Sequence, residues 1–350
     1  MTNSPDTIRS FMGVPQHRGV TADAAMVLRA ERRPQPGPIS IVPAATTSTA
    51  AEVGFARAIT AGGGELADLG PHTRGLLWLS YGGAGALKST LAAHPSIEWV
   101  QLPYAGVDAF AALLASYSDS PFPLWTSAKG AYSQPVAEHA LTLVLALLRV
   151  IPQRVRATSW PTGTKTGSSL FGLSVLIVGA GGVAIELLRL LEPFGVRVTI
   201  VRRTAGAVVG AERTVAPDRL GEVLPHADVV VIAAASTTGT HHLFGASEFQ
   251  SMKKSAVLVN IARGELIDTN ALVEALRFGE IAAAGLDVTD PEPLPDGHPL
   301  WTVPNILITP HSADTPAMTV PLLAERIREN VVAFVGDGRF VGIVDPRAGY

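Results

Sequence analysis

The sequence predicts an α/β protein built on parallel sheets and divided into two domains. Length is the first observation: 350 residues exceed what a single hydrophobic core usually organises. Pattern is the second. Short apolar runs alternate with segments of helical period, first from Pro38 to Gly106 and again, more clearly, from Leu173 to Thr309. Two such series read as two sheets with crossover helices.

In the first series, residues 39–42 read as a strand and 50–61 as a helix stopped by Gly62-Gly63-Gly64. Residues 76–79 form the next strand, which ends at Tyr81-Gly82-Gly83. A helix over 87–93, a strand over 99–102 and a turn over 103–106 follow. Residues 136–151 are apolar nearly all round, the pattern of a helix buried between layers or between subunits. Residues 158–169 are polar and read as a surface connection. The second series places strands at 175–178, 196–201, 229–233, 256–260, 283–287 and 306–309, and a helix over 322–335 leads to the final extended segment. Residues 1–37, rich in Arg, Pro and small side chains, read as a loosely ordered tail.

Composition narrows the functional classes. Charged residues make up 16% of the chain, against the usual ~25%, and the net charge is −3. Neither nucleic acid nor an anionic membrane is an expected partner. There is no cysteine, so disulfides, thiolate metal sites and a cysteine nucleophile are excluded, and a reducing, cytoplasmic setting is expected. No apolar run is long enough to span a bilayer, and no secretory leader is expected at the N-terminus. His241-His242 has no accompanying ligand cluster, so no metal site is expected.

The most specific local motif is Val178-Gly179-Ala180-Gly181-Gly182-Val183-Ala184, between an apolar strand and an apolar-periodic helix. This is the context of a dinucleotide-binding turn. Gly179 permits the tight turn, and Gly181 lets the backbone approach a pyrophosphate. Ala184 lets helix and strand pack closely, while the N–H groups at Gly182 and Val183 face the phosphates with the positive end of the helix dipole. About twenty residues on, the second strand runs into Arg202-Arg203-Thr204 rather than into an acidic residue. Arginine there would pair with a 2′-phosphate, so NADP(H) is expected in preference to NAD(H).

Three further residues each follow a strand of the second series: Arg263, Glu292 and His311. Ligands of open parallel sheets bind beyond the carboxyl ends of the strands, where these three can converge. Their types suit hydride addition to a carbonyl. His311 can give the oxygen its proton, Glu292 orients the ring and favours imidazolium, and Arg263 can fork onto a carboxylate.

These segments resemble the D-isomer-specific 2-hydroxyacid dehydrogenase family, which includes glyoxylate/hydroxypyruvate reductases. Residues 252–268 resemble its arginine signature, Gly285-Leu-Asp-Val288 with Pro291-Glu-Pro293 its glutamate signature, and Thr309-Pro-His311 its histidine signature. The resemblance implies two Rossmann-like domains with doubly wound parallel sheets, the cofactor domain inserted in the substrate domain. Residues 38–135 and 317–350 would form the substrate domain, and 136–316 the dinucleotide-binding domain. It implies that Asp287 holds the nicotinamide carboxamide and that Ala234, Ala235, Ser236 and Thr240 run along the cofactor. Ile261 and Ala262 are expected beside the cofactor with Arg263, and His311 reaches both cofactor and substrate. The turn 101–108 resembles the one whose backbone takes the substrate carboxylate, at Ala105 and Gly106, with Tyr81 and Gly82 in the companion loop. Val136-Ala-Glu-His139 resembles the start of the family's interdomain and dimer helix, implying a homodimer. The implied activity interconverts a small 2-keto acid and its D-2-hydroxy acid. The competing expectation is a nucleotide-sensing dimer like the family's corepressors.

Overall fold

The computed structural model describes residues 26–43, 50–80, 82–160, 162–163, 165–204, 206–336 and 338–347. The fold is α/β, with one four-stranded and one seven-stranded sheet, both parallel throughout. Strand β1 (Met26–Val27) precedes the smaller sheet, which contains β2 (Ile39–Val42), β3 (Gly75–Trp78), β4 (Trp99–Gln101) and β5 (Leu124–Thr126) in that spatial order. The larger sheet contains β6 (Ser174–Val178), β7 (Arg197–Val201), β8 (Arg213–Val215), β9 (Val229–Ile232), β10 (Val257–Asn260), β11 (Ala283–Leu286) and β12 (Ile306–Ile308). Its order is β12-β11-β10-β9-β6-β7-β8. The order reverses between β6 and β9, which opens a crevice at their carboxyl ends.

Side-chain alternation shows why both sheets are covered on both faces. Leu176, Val178, Val230, Ile232 and Leu258 point into one core cluster. Val175, Ile177, Val229, Val231, Val257 and Val259 point into another. Helix α3 (Ser133–Leu148) and helix α4 (Gly182–Leu191) cover the second face through Ala140, Leu143, Leu147, Leu187 and Leu191. Gly285 in β11 permits that approach, because a Cβ there would press on Leu143 and Leu147. Helix α5 (Thr269–Phe278) covers the first face; Asp268 caps it by accepting from Ala271 N–H, and Gly279 ends it at φ +68°.

In the smaller sheet, Ile39, Leu77 and Trp99 face helix α1 (Ala50–Ala61) and helix α6 (Pro316–Val335), whose Leu323, Ile327 and Val331 meet Phe55 and Ile59. Leu76, Trp78, Val100 and Trp125 face helix α2 (Ala84–Ala93). A buried polar net ties this sheet to α6. Asn330 Nδ2 and Thr126 Oγ1 both donate to Gln101 Oε1 at 2.8 Å, and Trp99 Nε1 donates to Thr126 Oγ1 at 2.9 Å.

Several expectations need correction. Residues 26–37 are not a loose tail. Strand β1 pairs antiparallel with β13 (Arg339–Phe340), Leu28 is buried, and Arg33 Nε donates to Leu28 O at 2.9 Å. Residues 1–25 of that expectation lie outside the described residues. The long apolar helix starts earlier, at Ser133, and stops at Leu148, because Val150 adopts a left-handed φ of 54° before the short helix Ile151–Val155. Helix α6 begins at Pro316, a residue preset for a first helical turn, rather than at its apolar run. No helix among the described residues is long and apolar enough to cross a membrane.

Candidate active site

The loops after β6, β7, β9, β10, β11 and β12 lie at the carboxyl edge of the seven-stranded sheet. The first joins β6 to α4. Gly179 has φ +116°, and its N–H donates to Val201 O at 2.8 Å, which brings the end of β7 beside the turn. A Cβ at Gly179 would collide with the Ala233 carbonyl after β9, so the two loops flanking the crevice touch at this glycine. A Cβ at Gly181 would meet nothing within 4 Å, so bare backbone faces the crevice. Helix α4 then starts at Gly182-Val183 with no side-chain cap. This geometry fits the phosphates of a dinucleotide. Gly179→Ala is expected to destabilise the chain by about 2 kcal/mol or more and to weaken NADPH binding, because it combines a disallowed φ with a backbone clash. Thermal unfolding and a fluorescence titration with NADPH check it, and an unchanged melting temperature with unchanged affinity would refute it.

Arg202 is half-buried at the carboxyl end of β7, its N–H bonded to Val215 O at 3.0 Å, while Arg203 and Thr204 are exposed. Beyond β9, Ala234 and Ala235 line the opposite loop. Ser236 Oγ donates to Glu265 Oε2 at 2.9 Å, and Thr240 Oγ1 accepts from Thr237 N–H at 2.8 Å. The hydroxyls of Ser236 and Thr240 therefore shape the loop itself.

After β10, Asn260 is fully buried and folds the turn that presents Arg263. Its Oδ1 accepts from Ala262 N–H at 3.0 Å, and its Nδ2 donates to Arg263 O at 2.8 Å. Ile261 and Ala262 are buried and their side chains join the two cores, which leaves only their backbone to face a ligand. Arg263 reaches across to the smaller sheet. Its Nε donates to Asp108 Oδ2 at 2.9 Å, its Nη2 pairs with the same oxygen at 2.8 Å, and its Nη1 donates to Ala262 O at 2.6 Å.

Asp287 follows β11 and is 2% exposed. Its Oδ1 accepts from Thr309 Oγ1 at 2.6 Å and from Ser312 N–H at 2.9 Å; its Oδ2 accepts from Ala313 N–H at 3.1 Å. The single proton of Thr309 is directed to Asp287, so its hydroxyl oxygen accepts from His139 Nε2 at 2.9 Å. The same His139 nitrogen lies 3.4 Å from Asp287 Oδ1. Burial works against the charged carboxylate, but the bonds from His139, Thr309, Ser312 and Ala313 outweigh it and hold Asp287 below the usual carboxylate range. Both oxygens of Asp287 are thereby bonded to the loop that carries His311.

That loop is wound tightly. His311 has φ 48°, and its N–H donates to Asp287 O at 2.8 Å and Thr309 O at 2.9 Å. His311 Nδ1 lies 2.6 Å from Glu292 Oε1, which leaves Nε2 free to face a ligand. Burial pushes up the carboxyl of the nearby Asp314, and the charge of His311 opposes that shift.

On the smaller sheet, the turn 103–106 is anchored by Tyr132, whose hydroxyl donates to Pro103 O at 2.7 Å; burial keeps that phenol protonated. Ala105 is exposed and Gly106 half-buried, directly against Arg263 Nη2. Gly82 is exposed, and Tyr81 lies outside the described residues. Among the described residues no cluster of three or more His, Cys, Asp or Glu is arranged to hold a metal, and His241 and His242 stack on each other at 4.0 Å.

The structure thus brings His311 and Glu292 into contact and sets Arg263 against the turn 106–108. Sequence reasoning missed three supports: Asp108, Asn260 and the His139–Thr309–Asp287 chain. His139 had a weak signal as a polar residue at the start of an apolar helix, and Asn260 binds only two and three residues along the chain, a local turn pattern; the Asp108 pairing depends on tertiary contact.

The fold and the turn after β6 define a dinucleotide-binding α/β protein. Comparison with known proteins narrows this. The model of the D-isomer specific 2-hydroxyacid dehydrogenase, NAD binding domain, matches residues 141–313. The chain is 39% identical over 259 residues to an uncharacterised protein in the proB 3′ region of Corynebacterium melassecola, covering 73% of this chain and 84% of that one. It is 34% identical over 220 residues to glyoxylate reductase of Aeropyrum pernix, covering 60% of this chain and 65% of that enzyme. The structure of a D-isomer specific 2-hydroxyacid dehydrogenase from Xanthobacter autotrophicus Py2, in complex with NADPH and MES, superposes with a TM-score of 0.74 at 28% identity. That match covers 90% of this chain and 100% of the other. The chain belongs to the D-isomer specific 2-hydroxyacid dehydrogenase family.

Proposed function

We propose that the protein is an NADP(H)-preferring 2-keto acid reductase that forms the D-2-hydroxy acid from a small substrate of the glyoxylate or hydroxypyruvate type. The observation that carries this reading is the 2.6 Å contact between His311 and Glu292 at the same carboxyl edge of the sheet as the glycine turn. The Aeropyrum pernix relative is a glyoxylate reductase, and the Xanthobacter autotrophicus structure contains NADPH. Both support the assignment.

In this reading residues 136–316 form the cofactor unit, and residues 38–135 with 317–350 the substrate unit. Gly179, Gly181, Gly182 and Val183 would hold the pyrophosphate, Arg202 with Arg203 and Thr204 the 2′-phosphate, and Ala234, Ala235 and the 260–263 backbone the remainder. The bound nicotinamide supplies hydride to the substrate carbonyl carbon. Arg263 holds the substrate carboxylate and polarises the carbonyl oxygen, together with the N–H groups of Ala105 and Gly106. His311 donates the proton to that oxygen from Nε2, while Glu292 at Nδ1 orients the ring and stabilises imidazolium. Closure of the two units expels water from the crevice. A cytoplasmic homodimer, with α3 at its interface, completes the reading.

The test is the initial rate of NADPH and NADH oxidation with glyoxylate, hydroxypyruvate and phenylpyruvate. Turnover, faster with NADPH, is expected; no turnover with any of them despite cofactor binding would overturn the reading. Arg202→Ala should lower the NADPH-over-NADH preference in kcat/KM by about 10–100-fold, the worth of a lost charge-assisted bond. An unchanged ratio would remove Arg202 from the 2′-phosphate site.

A further inference from the structure

We propose that Asp108 is the positioning residue for Arg263, fixing from the substrate unit the guanidinium that receives the substrate carboxylate. This rests on the role assigned to Arg263 above.

Asp108 opens the short turn Asp108–Phe110 that follows β4, whereas Arg263 follows β10 of the other sheet. One carboxylate oxygen, Oδ2, accepts from Nε of Arg263 at 2.9 Å and lies 2.8 Å from Nη2 as an ion pair. Nη1 is tied to Ala262 O at 2.6 Å. A guanidinium has five N–H donors in a rigid plane. The Nε hydrogen and one Nη1 hydrogen are engaged in these bonds, Nη2 is ion-paired with Oδ2, and donors remain on Nη1 and Nη2. With Asp108 covering the Nε–Nη2 side, the donors left for a planar carboxylate or keto acid are those on Nη1 and Nη2. Asp108 thus selects which edge of the fork is presented, and stops a long, flexible side chain from sampling others. Gly106 makes the placement possible, since any Cβ there would fall on Arg263 Nη2.

Stability does not explain the pair. The Arg263 and Asp108 side chains are 32% and 47% exposed, and ion pairs so open to water contribute little to folding. The contact does join the two sides of the crevice at the turn expected to take substrate. Loss of Asp108 should therefore act on substrate affinity.

The experiment is a double-mutant cycle with NADPH and glyoxylate, using Asp108→Asn, Asp108→Ala, Arg263→Ala and the Asp108→Ala/Arg263→Ala double variant. Asp108→Asn should raise KM about tenfold or more, with a smaller fall in kcat, because an orienting charge-assisted bond is lost. The dissociation constant for NADPH and the melting temperature should be unchanged. Asp108→Glu should recover part of the KM. In the Arg263→Ala background, Asp108→Ala should change kcat/KM less than twofold, since its only route to the substrate is gone. An unchanged or lower KM in Asp108→Asn would overturn the proposal, the lower value marking Asp108 as a competitor for Arg263. So would a full-sized additional loss in the Arg263→Ala background. If Arg263→Ala itself leaves kcat/KM intact, or the parent chain turns over none of glyoxylate, hydroxypyruvate and phenylpyruvate, the reading beneath the proposal fails and carries it down. Those two results are distinguishable from failure of Asp108 alone.

Discussion

His311→Gln is expected to lower kcat for 2-keto acid reduction by a factor of about 10²–10⁴ while leaving the NADPH dissociation constant within about twofold. His311 Nδ1 is committed to Glu292 Oε1 at 2.6 Å, so Nε2 is the only ring nitrogen able to deliver a proton. Glutamine keeps a donor of similar reach but cannot cycle a proton near neutral pH. The backbone at φ 48° is held by bonds to Asp287 O and Thr309 O, neither of which involves the imidazole, so the loop should survive the change. Steady-state kinetics with glyoxylate and a fluorescence titration with NADPH check the two halves separately. Parallel loss of turnover and cofactor binding would assign His311 to the scaffold.

Much of this arrangement was legible in the sequence, for physical reasons that also explain the gaps. Fully buried parallel strands read as unbroken apolar runs, and β6, β9 and β10 were found within one residue of their ends. Strands β5 and β8 went unseen; β8, Arg213-Thr214-Val215, carries a single apolar side chain and so offers no apolar run. Glycine and arginine positions near strand ends singled out Gly179, Arg202 and Arg263, each of which follows a strand of the larger sheet. Asp108 lies 155 residues from Arg263, and no local pattern announces such a pairing. Asp287 shows a different limit. Its place after β11 was plain, yet whether its oxygens turn to a ligand or to the following loop depends on where Thr309, Ser312 and Ala313 fall. Likewise residues 26–37 look like a tail by composition, and only the partner strand β13, at the far end of the chain, gives β1 its hydrogen bonds.

Asp287→Ala is expected to destabilise the protein by about 2–5 kcal/mol and to cost most of the activity, since it strands several buried donors at once. The Ser312 and Ala313 N–H groups and the Thr309 hydroxyl all lose their acceptor, and His139 loses the carboxylate behind Thr309. The segment those bonds hold is the one that carries His311, so NADPH affinity and kcat should both fall, unlike in His311→Gln. Asp287→Asn is the sharper test. An amide can still accept at one oxygen, but its NH₂ must then face either Ala313 N–H or the Ser312 and Thr309 donors. The pH dependence follows from the sign of the shift. The carboxyl is held below its ordinary value in the folded chain, so its contribution is complete above the unfolded carboxylate pKa and is lost as pH falls through the folded one. Urea denaturation should therefore show the wild-type stability declining on the acid side below about pH 4, with a visibly shallower decline in Asp287→Asn. Identical acid limbs in the two proteins would mean that the charge on Asp287 does not hold the His311 loop.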